Sequence, residues 1–402
     1  MSKNILDKNS DDFFKLSTNF FSMEGCKCHL DIDTYTVSPK NIEYKYKVKA
    51  DKENTLHYAF SGKNGLCITT PMGSIRKENL LNELISLPIG DVNAIIEFFE
   101  DNGFLFPLPN DNYINIDVDS LFAFIYRIKS AVLLLSELET PKRNYRSILN
   151  YAFYLLLANQ ATFTIGKKQY STYKHNLLGF FENISSFPEI DGSKEEFNKD
   201  TYSVKDMIYG PIYELNIEEY KDVTLKNHTI EKYPGVYNFR YQNIMYLYRN
   251  AISLDKKDRL IVEFLFHFMN KVGIIESISF ERGVAFHAKP NIDKFDKKLK
   301  ETLEIIAKIV LNEEINANLR GIYPRFNPID MTPTWKATNM LSALYFSIFY
   351  MRPGSEIYRA CANVACNNYF VVKTSNSRKK YCCPNCRNAT AQRNFRKKQN
   401  AK

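Results

Sequence analysis

Five of the eight cysteines of this 402-residue chain fall within one short stretch, residues 361–386. Cys361 and Cys366 form a first pair, and a second pair joins Cys386 to either Cys382 or Cys383. A structural zinc ion needs four soft donors that converge as a tetrahedron, and two short cysteine loops joined by a hairpin can supply that geometry. The spacing therefore predicts a bound Zn²⁺ ion.

Two local elements must bring these thiols together. The apolar run Tyr369–Val372 predicts one strand of a hairpin between the two pairs. Pro384 suits the first turn of a helix, where its missing N–H costs nothing, so we expect the second pair where a helix begins. The thiolates would then face the positive end of the helix dipole. Both i,i+3 and i,i+4 spacings to Cys386 fit such a helix, so spacing alone leaves the third ligand open.

The C-terminal stretch resembles the CGNR-type zinc finger. The resemblance rests on Arg359–Cys366, the strand Tyr-Phe-Val, Arg378-Lys-Lys-Tyr-Cys382, and Cys386-Arg-Asn388, and it covers roughly residues 334–400. That finger ends a group of bacterial proteins, some with an ABATE domain, described as stress-induced transcriptional regulators. The resemblance implies that the chain is such a regulator and that its finger engages DNA.

The resemblance also implies a ligand set. In the family the third ligand follows an aromatic residue, as Cys382 follows Tyr381 here, which leaves Cys383 as a spare thiol. The implied ligands are Cys361, Cys366, Cys382 and Cys386. Where the family has Cys-Gly-Asn-Arg, this chain has Cys386-Arg-Asn-Ala389, so only the Asn keeps its place.

Positive charge is concentrated at the same end of the chain. From Arg352 to Lys402 there are twelve Lys and Arg against one acid, Glu356, a net of +11 in a chain whose total is +9, so residues 1–351 carry −2. One interpretation is a solvated basic end that aids solubility. The other is a phosphate-binding surface on DNA or RNA. Its predicted contacts are Arg378, Lys379, Lys380, Arg387, Arg393, Arg396, Lys397 and Lys398.

The residues after Pro384 are expected to continue as a helix. Arg393, Arg396, Lys397 and Asn400 are spaced i, i+3, i+4 and i+7, which puts them on one face. We expect Phe395 to pack back on the finger and turn this basic face outward. Base edges would then be read by Gln392, Arg393 or Asn394.

The rest of the chain predicts an α+β fold that is mainly helical. The expected domains are an N-terminal segment with a small β meander (1–75), a mainly helical domain (76–351) and the zinc finger with its basic helix (352–402). Period-two alternation places the meander at about residues 31–70. Helical patterns are found at Glu78–Leu87, Val92–Asp101, Val118–Leu138, Tyr145–Gln160, Arg259–Val272, Ile292–Leu319 and Thr334–Tyr350, with a strand-like stretch at Ile274–His287.

The composition points to a cytoplasmic protein. The first twenty residues lack the apolar core of a signal peptide. The most apolar stretch, Leu121–Leu138, contains Arg127 and Lys129 and so predicts a buried helix and no membrane partner. In that compartment clustered cysteines indicate a metal before a disulfide.

Other candidate sites are weaker. Cys26, Cys28 and His29 offer three metal donors without a fourth nearby, so ordinary reduced thiols are expected there. Tyr323-Pro-Arg325-Phe326 and Trp335 could line a pocket, although packing is the simpler use of those rings.

No phosphate-binding loop, nucleophile elbow or His-Glu-x-x-His motif is present, so no enzymatic activity is expected. The alternative to a DNA-binding regulator is an interaction or stress and phage-response effector whose finger is purely structural. A homo-oligomer is left open.

Overall fold

The computed structural model describes residues 21–38, 41–61, 65–70, 74–77, 79–109, 112–177, 243–244, 247–248, 254–327, 332–349, 356–363, 365–366, 369–373 and 379–400. The chain divides into two compact units that alternate along the sequence. The first unit comprises Met1–Thr140, Gln160–Tyr173 and Glu314–Lys402, and the second comprises Pro141–Asn159 and Lys174–Glu313. The α+β class, mainly helical with an N-terminal meander and a C-terminal four-cysteine cluster, is confirmed.

The first unit is built on an antiparallel meander. Its strands are β1 (Phe21–Ser38), β2 (Asn41–Ser61), β3 (Gly65–Thr69) and β4 (Ile75–Lys77). The meander begins earlier than the sequence indicates, because β1 pairs with β2 along nearly its whole length and buries Met23, Cys28 and Leu30. Three further strands extend this sheet: β5 (Ile114–Ile116) pairs with β2, and β11 (Thr332–Ala337) lies between β1 and the edge strand β10 (Ile322–Asn327). A two-stranded hairpin of β6 (Thr162–Ile165) and β7 (Lys168–Ser171) lies in the same unit.

Helices pack on this sheet in the first unit. They are α1 (Leu80–Ser86), α2 (Val92–Asn102) and α3 (Val118–Glu139). The predicted cap and stop of α2 are confirmed: the Asp91 carboxylate accepts from the Ala94 N–H at 3.1 Å, and Gly103 ends the helix with a φ of 79°. A side chain at Gly103 would also meet the Tyr58 hydroxyl, since a Cβ there would lie 2.4 Å from it.

The two basic side chains of the helix α3, Arg127 and Lys129, are buried and have partners, as a helix inside a folded domain requires. The Arg127 Nε donates to Glu314 Oε1 at 3.1 Å, and the Tyr345 hydroxyl donates to the same oxygen at 2.6 Å. The Lys129 ammonium donates to the Leu87 carbonyl, and burial lowers its pKa to about 8. No helix among the described residues is long and apolar enough to cross a membrane.

The second unit contains the helices α4 (Tyr145–Leu157) and α5 (Lys256–Lys271) and the hairpin of β8 (Ile275–Ser279) and β9 (Gly283–Phe286). The helix α6 (Lys297–Asn318) follows, and the division between the units falls within it. In this unit the buried imidazole of His175 lies 3.0 Å from Glu313, and Glu313 also accepts from Lys257 at 2.9 Å. The bounds of α4, α5, α6 and the β8–β9 hairpin are close to those of the predicted helices and of the predicted strand-like stretch.

The predicted helix Thr334–Tyr350 is wrong at its beginning. Residues up to Ala337 form β11, and the helix α7 runs only from Met340 to Phe349. Asn339 explains the boundary, because its side-chain oxygen accepts from the Ser342 N–H at 2.8 Å as an N-cap does. The β-forming residues before it pair with β10 instead.

Candidate metal centre

A hairpin and a helix carry the cysteine cluster in the first unit. The hairpin consists of β12 (Glu356–Ala360) and β13 (Tyr369–Lys373), paired so that Arg359 lies opposite Phe370. The predicted strand between the cysteine pairs is therefore confirmed. The helix α8 runs from Pro384 to Asn400, with Pro384 at its first position as predicted. We refer to residues 356–400 as the finger.

The first cysteine pair is held by a tight turn at Asn363. The Cys366 N–H donates to the Asn363 carbonyl at 2.8 Å, and the Asn363 side-chain oxygen accepts from Ala365. The Ala362 N–H donates to the Lys380 carbonyl at 2.9 Å, which ties this turn to the chain leading into the second pair. The bond from Ala362 to Lys380 therefore holds the two cysteine loops close to each other.

Four thiols converge between the hairpin and the helix. The Sγ atoms of Cys361, Cys366, Cys382 and Cys386 all lie within 4.8 Å of one another. Cys382 Sγ is 3.7 Å from Cys366 Sγ and 3.5 Å from Cys386 Sγ. A tetrahedron of thiolates around zinc has edges of about 3.8 Å, because each Zn–S bond is about 2.3 Å long. These four cysteines can hold a metal ion, and their donor type and spacing suit zinc.

Cys383 is the fifth thiol of the stretch. Its side chain is exposed, and its Sγ lies 3.8 Å from Cys382 Sγ but does not join the group of four. The group that the structure brings together is thus the set that the family resemblance implies. Whether those four residues bind the ion stays a prediction.

The electrostatics of the cluster favour a thiolate at Cys361. Burial raises the pKa of this thiol, but hydrogen bonds from the Cys382 and Asn363 backbones outweigh that effect and bring the pKa down to about 7. Burial and the hydrogen bonds with the neighbouring thiols raise the pKa of Cys382. Four thiols this close cannot all ionise without a cation between them, because their negative charges repel.

A small apolar core lies beneath the thiols. Cys361, Phe370 and Val372 are buried, and the Tyr381 ring packs against them. The Lys379 ammonium lies 5.2 Å from the centre of the Phe370 ring, within range of a cation–π contact. This core is too small to hold a separate domain together, which is the usual reason for a metal or another support at this size.

The finger is docked on the helices of its own unit. The Tyr358 N–H of β12 donates to the Ser136 hydroxyl of α3 at 3.0 Å, and the Tyr369 N–H of β13 donates to the Ser86 hydroxyl of α1 at 3.0 Å. Both edges of the hairpin therefore have a hydrogen-bond partner outside the finger.

The predicted nucleic-acid contacts fall into three groups. Lys379, Lys380, Arg387 and Arg396 are exposed. Arg378 lies outside the described residues, and Lys397 and Lys398 lie on α8 although their side chains are not described. Arg393 is half-buried and donates to the Asn363 side-chain oxygen at 3.0 Å. The expectation that Arg393 lies on the outward face is therefore wrong.

The helical periodicity of α8 explains why Arg393 does not face outward and why Phe395 does not pack on the finger. Cys386, Ala389, Thr390 and Arg393 are spaced at i, i+3, i+4 and i+7 and are the half-buried face of α8. Phe395 is nine residues after Cys386, half a turn away, so its ring is 62% exposed instead of packed on the finger. Arg387 and Asn394 share an outward stripe, and position 398 falls on the same stripe.

Asn363 is the residue of the site that the sequence interpretation missed. It joins the first cysteine loop to α8 through Arg393, and it is buried. The available signal was its place two residues after Cys361, since Asn side chains often stabilise tight turns.

The alternative donors Cys26, Cys28 and His29 do not converge on one point. Cys28 is buried with its Sγ on the Phe99 carbonyl, while His29 points to the other face of β1 and lies 3.4 Å from Asp51. Within the described residues the four-cysteine group is the one cluster of His, Cys, Asp and Glu compatible with a metal ion. Tyr323, Arg325 and Phe326 lie on β10 with exposed side chains, whereas the Trp335 ring packs on Phe346 of α7.

No family model, curated protein or solved structure matches this chain. The CGNR resemblance therefore stays a prediction, because a four-cysteine cluster does not identify that family.

Proposed function

We propose that this chain is a zinc-finger protein that binds nucleic acid through the basic surface of its finger. The observation that carries the proposal is the convergence of four thiols beside an exposed helix without acids. α8 contains five Lys and Arg and neither Asp nor Glu. Such a helix attracts phosphate, and the metal would fix its orientation relative to the hairpin.

The exposed cations are placed to contact a phosphate backbone. Lys379 and Lys380 lie three and two residues before Cys382, and Arg387 directly follows Cys386. Their positions are therefore set by the metal site itself. Asn394 lies between Arg387 and position 398 on the outward stripe, which suits an amide that reads a base edge between two phosphate contacts.

The role in the cell follows from the resemblance to the CGNR proteins. We propose that the chain regulates transcription in a bacterial stress response, with DNA as the partner of the finger. A titration of duplex DNA at several salt concentrations tests the binding step. A steep loss of affinity with salt supports the proposal, and an absence of binding near physiological salt contradicts it.

One observation favours a second candidate. The hydrogen bonds from Tyr358 to Ser136 and from Tyr369 to Ser86 fasten the finger to α3 and α1. A finger that only closes the helical domain of an effector protein would need these bonds and no exposed cations. The DNA titration separates the two candidates, because the structural finger has no reason to show salt-dependent affinity.

A further inference from the structure

The edge hairpin of the first unit carries a second basic and aromatic surface, which we call the β10–β11 platform. It consists of Arg320, Tyr323, Arg325 and Lys336. Tyr323 is 51% exposed, and the three cations are exposed as well. The described residues of this hairpin, 320–327 and 332–338, include no Asp or Glu, and Asp330 between the strands lies outside them.

The register of the hairpin puts the ring and two of the cations on one face. Tyr323 is directly opposite Lys336, and Arg325 is opposite Thr334. Opposite residues share a face of an antiparallel pair, and so do residues two apart on a strand. Tyr323 is therefore flanked on the same face by a cation of its own strand and one of the neighbouring strand.

The hairpin is held in place from its other face. The Trp335 ring packs on Phe346 of α7 with their centres 6.1 Å apart. At the base of the hairpin the Gly321 carbonyl accepts from the Thr338 N–H at 3.0 Å. A side chain at Gly321 would meet the Ser342 hydroxyl at 2.3 Å, so the turn lies tightly on α7. The platform is therefore anchored before any ligand arrives.

We propose that the β10–β11 platform binds single-stranded nucleic acid, with a base stacked on Tyr323 and phosphates on Arg325 and Lys336. An exposed ring between cations is the arrangement by which proteins hold single strands without reading their sequence. A base inside a duplex is stacked on its neighbours and could not meet the ring. The inference rests on the proposed function and adds to it a second contact outside the finger, for a single strand where the finger contacts a duplex.

A peptide strand added to the edge of β10 is the competing occupant. Pro324 lies in the middle of this strand and has no N–H, so the edge lacks a donor where an added strand would need one. The surplus of positive charge also favours an anionic polymer over a neutral strand. One acid lies close by register: Ser22 of β1 pairs with Lys336, and Glu24, two residues on, shares its face.

Photo-crosslinking tests the platform directly. The probes are oligothymidine and oligouridine of about twelve nucleotides, within the usual site size, with 5-iodouracil at one position. The expected crosslink is on Tyr323, the one aromatic residue of the tryptic peptide Gly321–Arg325. Tyr323→Ala should weaken binding by about fivefold or more, while Tyr323→Phe keeps the stacked ring and most of the affinity.

The salt dependence of binding tests the charges of Arg325 and Lys336 separately from the Tyr323 ring. Replacing Arg325 and Lys336 by Ala should flatten the dependence of log affinity on log salt by about 1.4 for a single strand. Lys142→Ala with Arg146→Ala removes the same charge from exposed positions of the second unit and should leave the slope unchanged. Glu24→Gln should tighten binding, because it removes the acid next to Lys336.

The outcomes separate this inference from the finger proposal. If crosslinks map only to the finger and Tyr323→Ala binds as the unmodified chain does, the proposal for the platform is wrong and the finger proposal stands. If a duplex competitor displaces the single strand from Tyr323 at equal concentration, the single-strand assignment is wrong. If neither form of nucleic acid binds, both proposals fail. Equal zinc content and equal melting temperature in every variant are required for each comparison.

Discussion

The guanidinium of Arg393 donates a 3.0 Å hydrogen bond to the side-chain oxygen of Asn363, which joins the second half of α8 to the first cysteine loop. Asn363 is buried and its carbonyl also accepts from the Cys366 N–H. Arg393 therefore stabilises the finger from inside. It is one of the predicted phosphate contacts, so a loss of nucleic-acid binding on its removal would have two causes.

We expect Arg393→Ala to destabilise the finger. A hydrogen bond with a charged donor contributes about 1.5–3 kcal/mol, and the lower part of that range fits a half-exposed side chain. Metal release to a chelator should become faster, and limited proteolysis should cut the finger more readily. The matched control is Arg396→Ala, which removes the same charge from an exposed position of the same helix. Equal chelator rates in the two variants would mean that the bond to Asn363 is not structural.

The metal prediction can be tested thiol by thiol. The purified chain should contain about one zinc ion, and Cys361→Ser or Cys386→Ser should lose it and loosen the finger, since metal binding supplies folding free energy at such sites. Cys383→Ser should keep the metal, because its Sγ does not belong to the converging group. Elemental analysis of freshly purified protein measures the zinc content of the unmodified chain and of the three variants.

Two results of that analysis would contradict the assignment. Fresh unmodified protein without zinc would remove the metal from the proposal. Loss of zinc from Cys383→Ser, with retention of zinc in Cys382→Ser, would mean that Cys383 and not Cys382 is the third ligand.

The elements that could be predicted from sequence are those with local signals. Asp91 and Gly103 bound α2 because a carboxylate cap and a positive φ are properties of single residues. Pro384 marks the start of α8 for the same reason. The beginning of α7 was missed, because Trp335 and its neighbours fit a helical pattern equally well until β10 offers them a partner.

The site shows the same division. Cysteine spacing predicts the converging thiols to within one residue, whereas the choice between Cys382 and Cys383 depends on how two loops meet in space. Which face of α8 points outward could not be read from its charges. Cys386 decides it, because the residues spaced with that ligand, Arg393 among them, are drawn toward the cluster.

A buried acid in the second unit predicts a pH-dependent stability. Glu263 of α5 is 0% exposed, and within the described part of the chain neither carboxylate oxygen has a hydrogen-bond partner. Burial raises its pKa from 4.5 to about 8, and the charge of Arg259 offsets only part of this. The folded chain thus keeps a proton that the unfolded chain releases, so stability should fall as the pH rises from about 4.5 to about 8.

Glu263→Gln should remove this dependence. The amide is neutral at every pH, so the variant should gain on the unmodified chain by up to about 1.4 kcal/mol for each pH unit in that window. Glu281→Gln, at an exposed position of the same unit, is the control and should leave the pH profile of unfolding unchanged. Parallel profiles for Glu263→Gln and the unmodified chain in urea titrations from pH 5 to pH 8 would contradict the prediction.

The salt dependence of duplex DNA binding decides the function of the finger. Arg387 and Arg396 are exposed on α8, and their removal leaves the four cysteines and the Asn363 bond untouched, so it tests charge alone. If both grip phosphate, each replacement by Ala should flatten the dependence of log affinity on log salt by about 0.9. Zinc content should stay the same, and Lys142→Ala with Arg146→Ala should leave the slope unchanged. An unmodified chain that fails to bind duplex DNA at low salt, while holding its zinc, would support the finger that only closes its own unit.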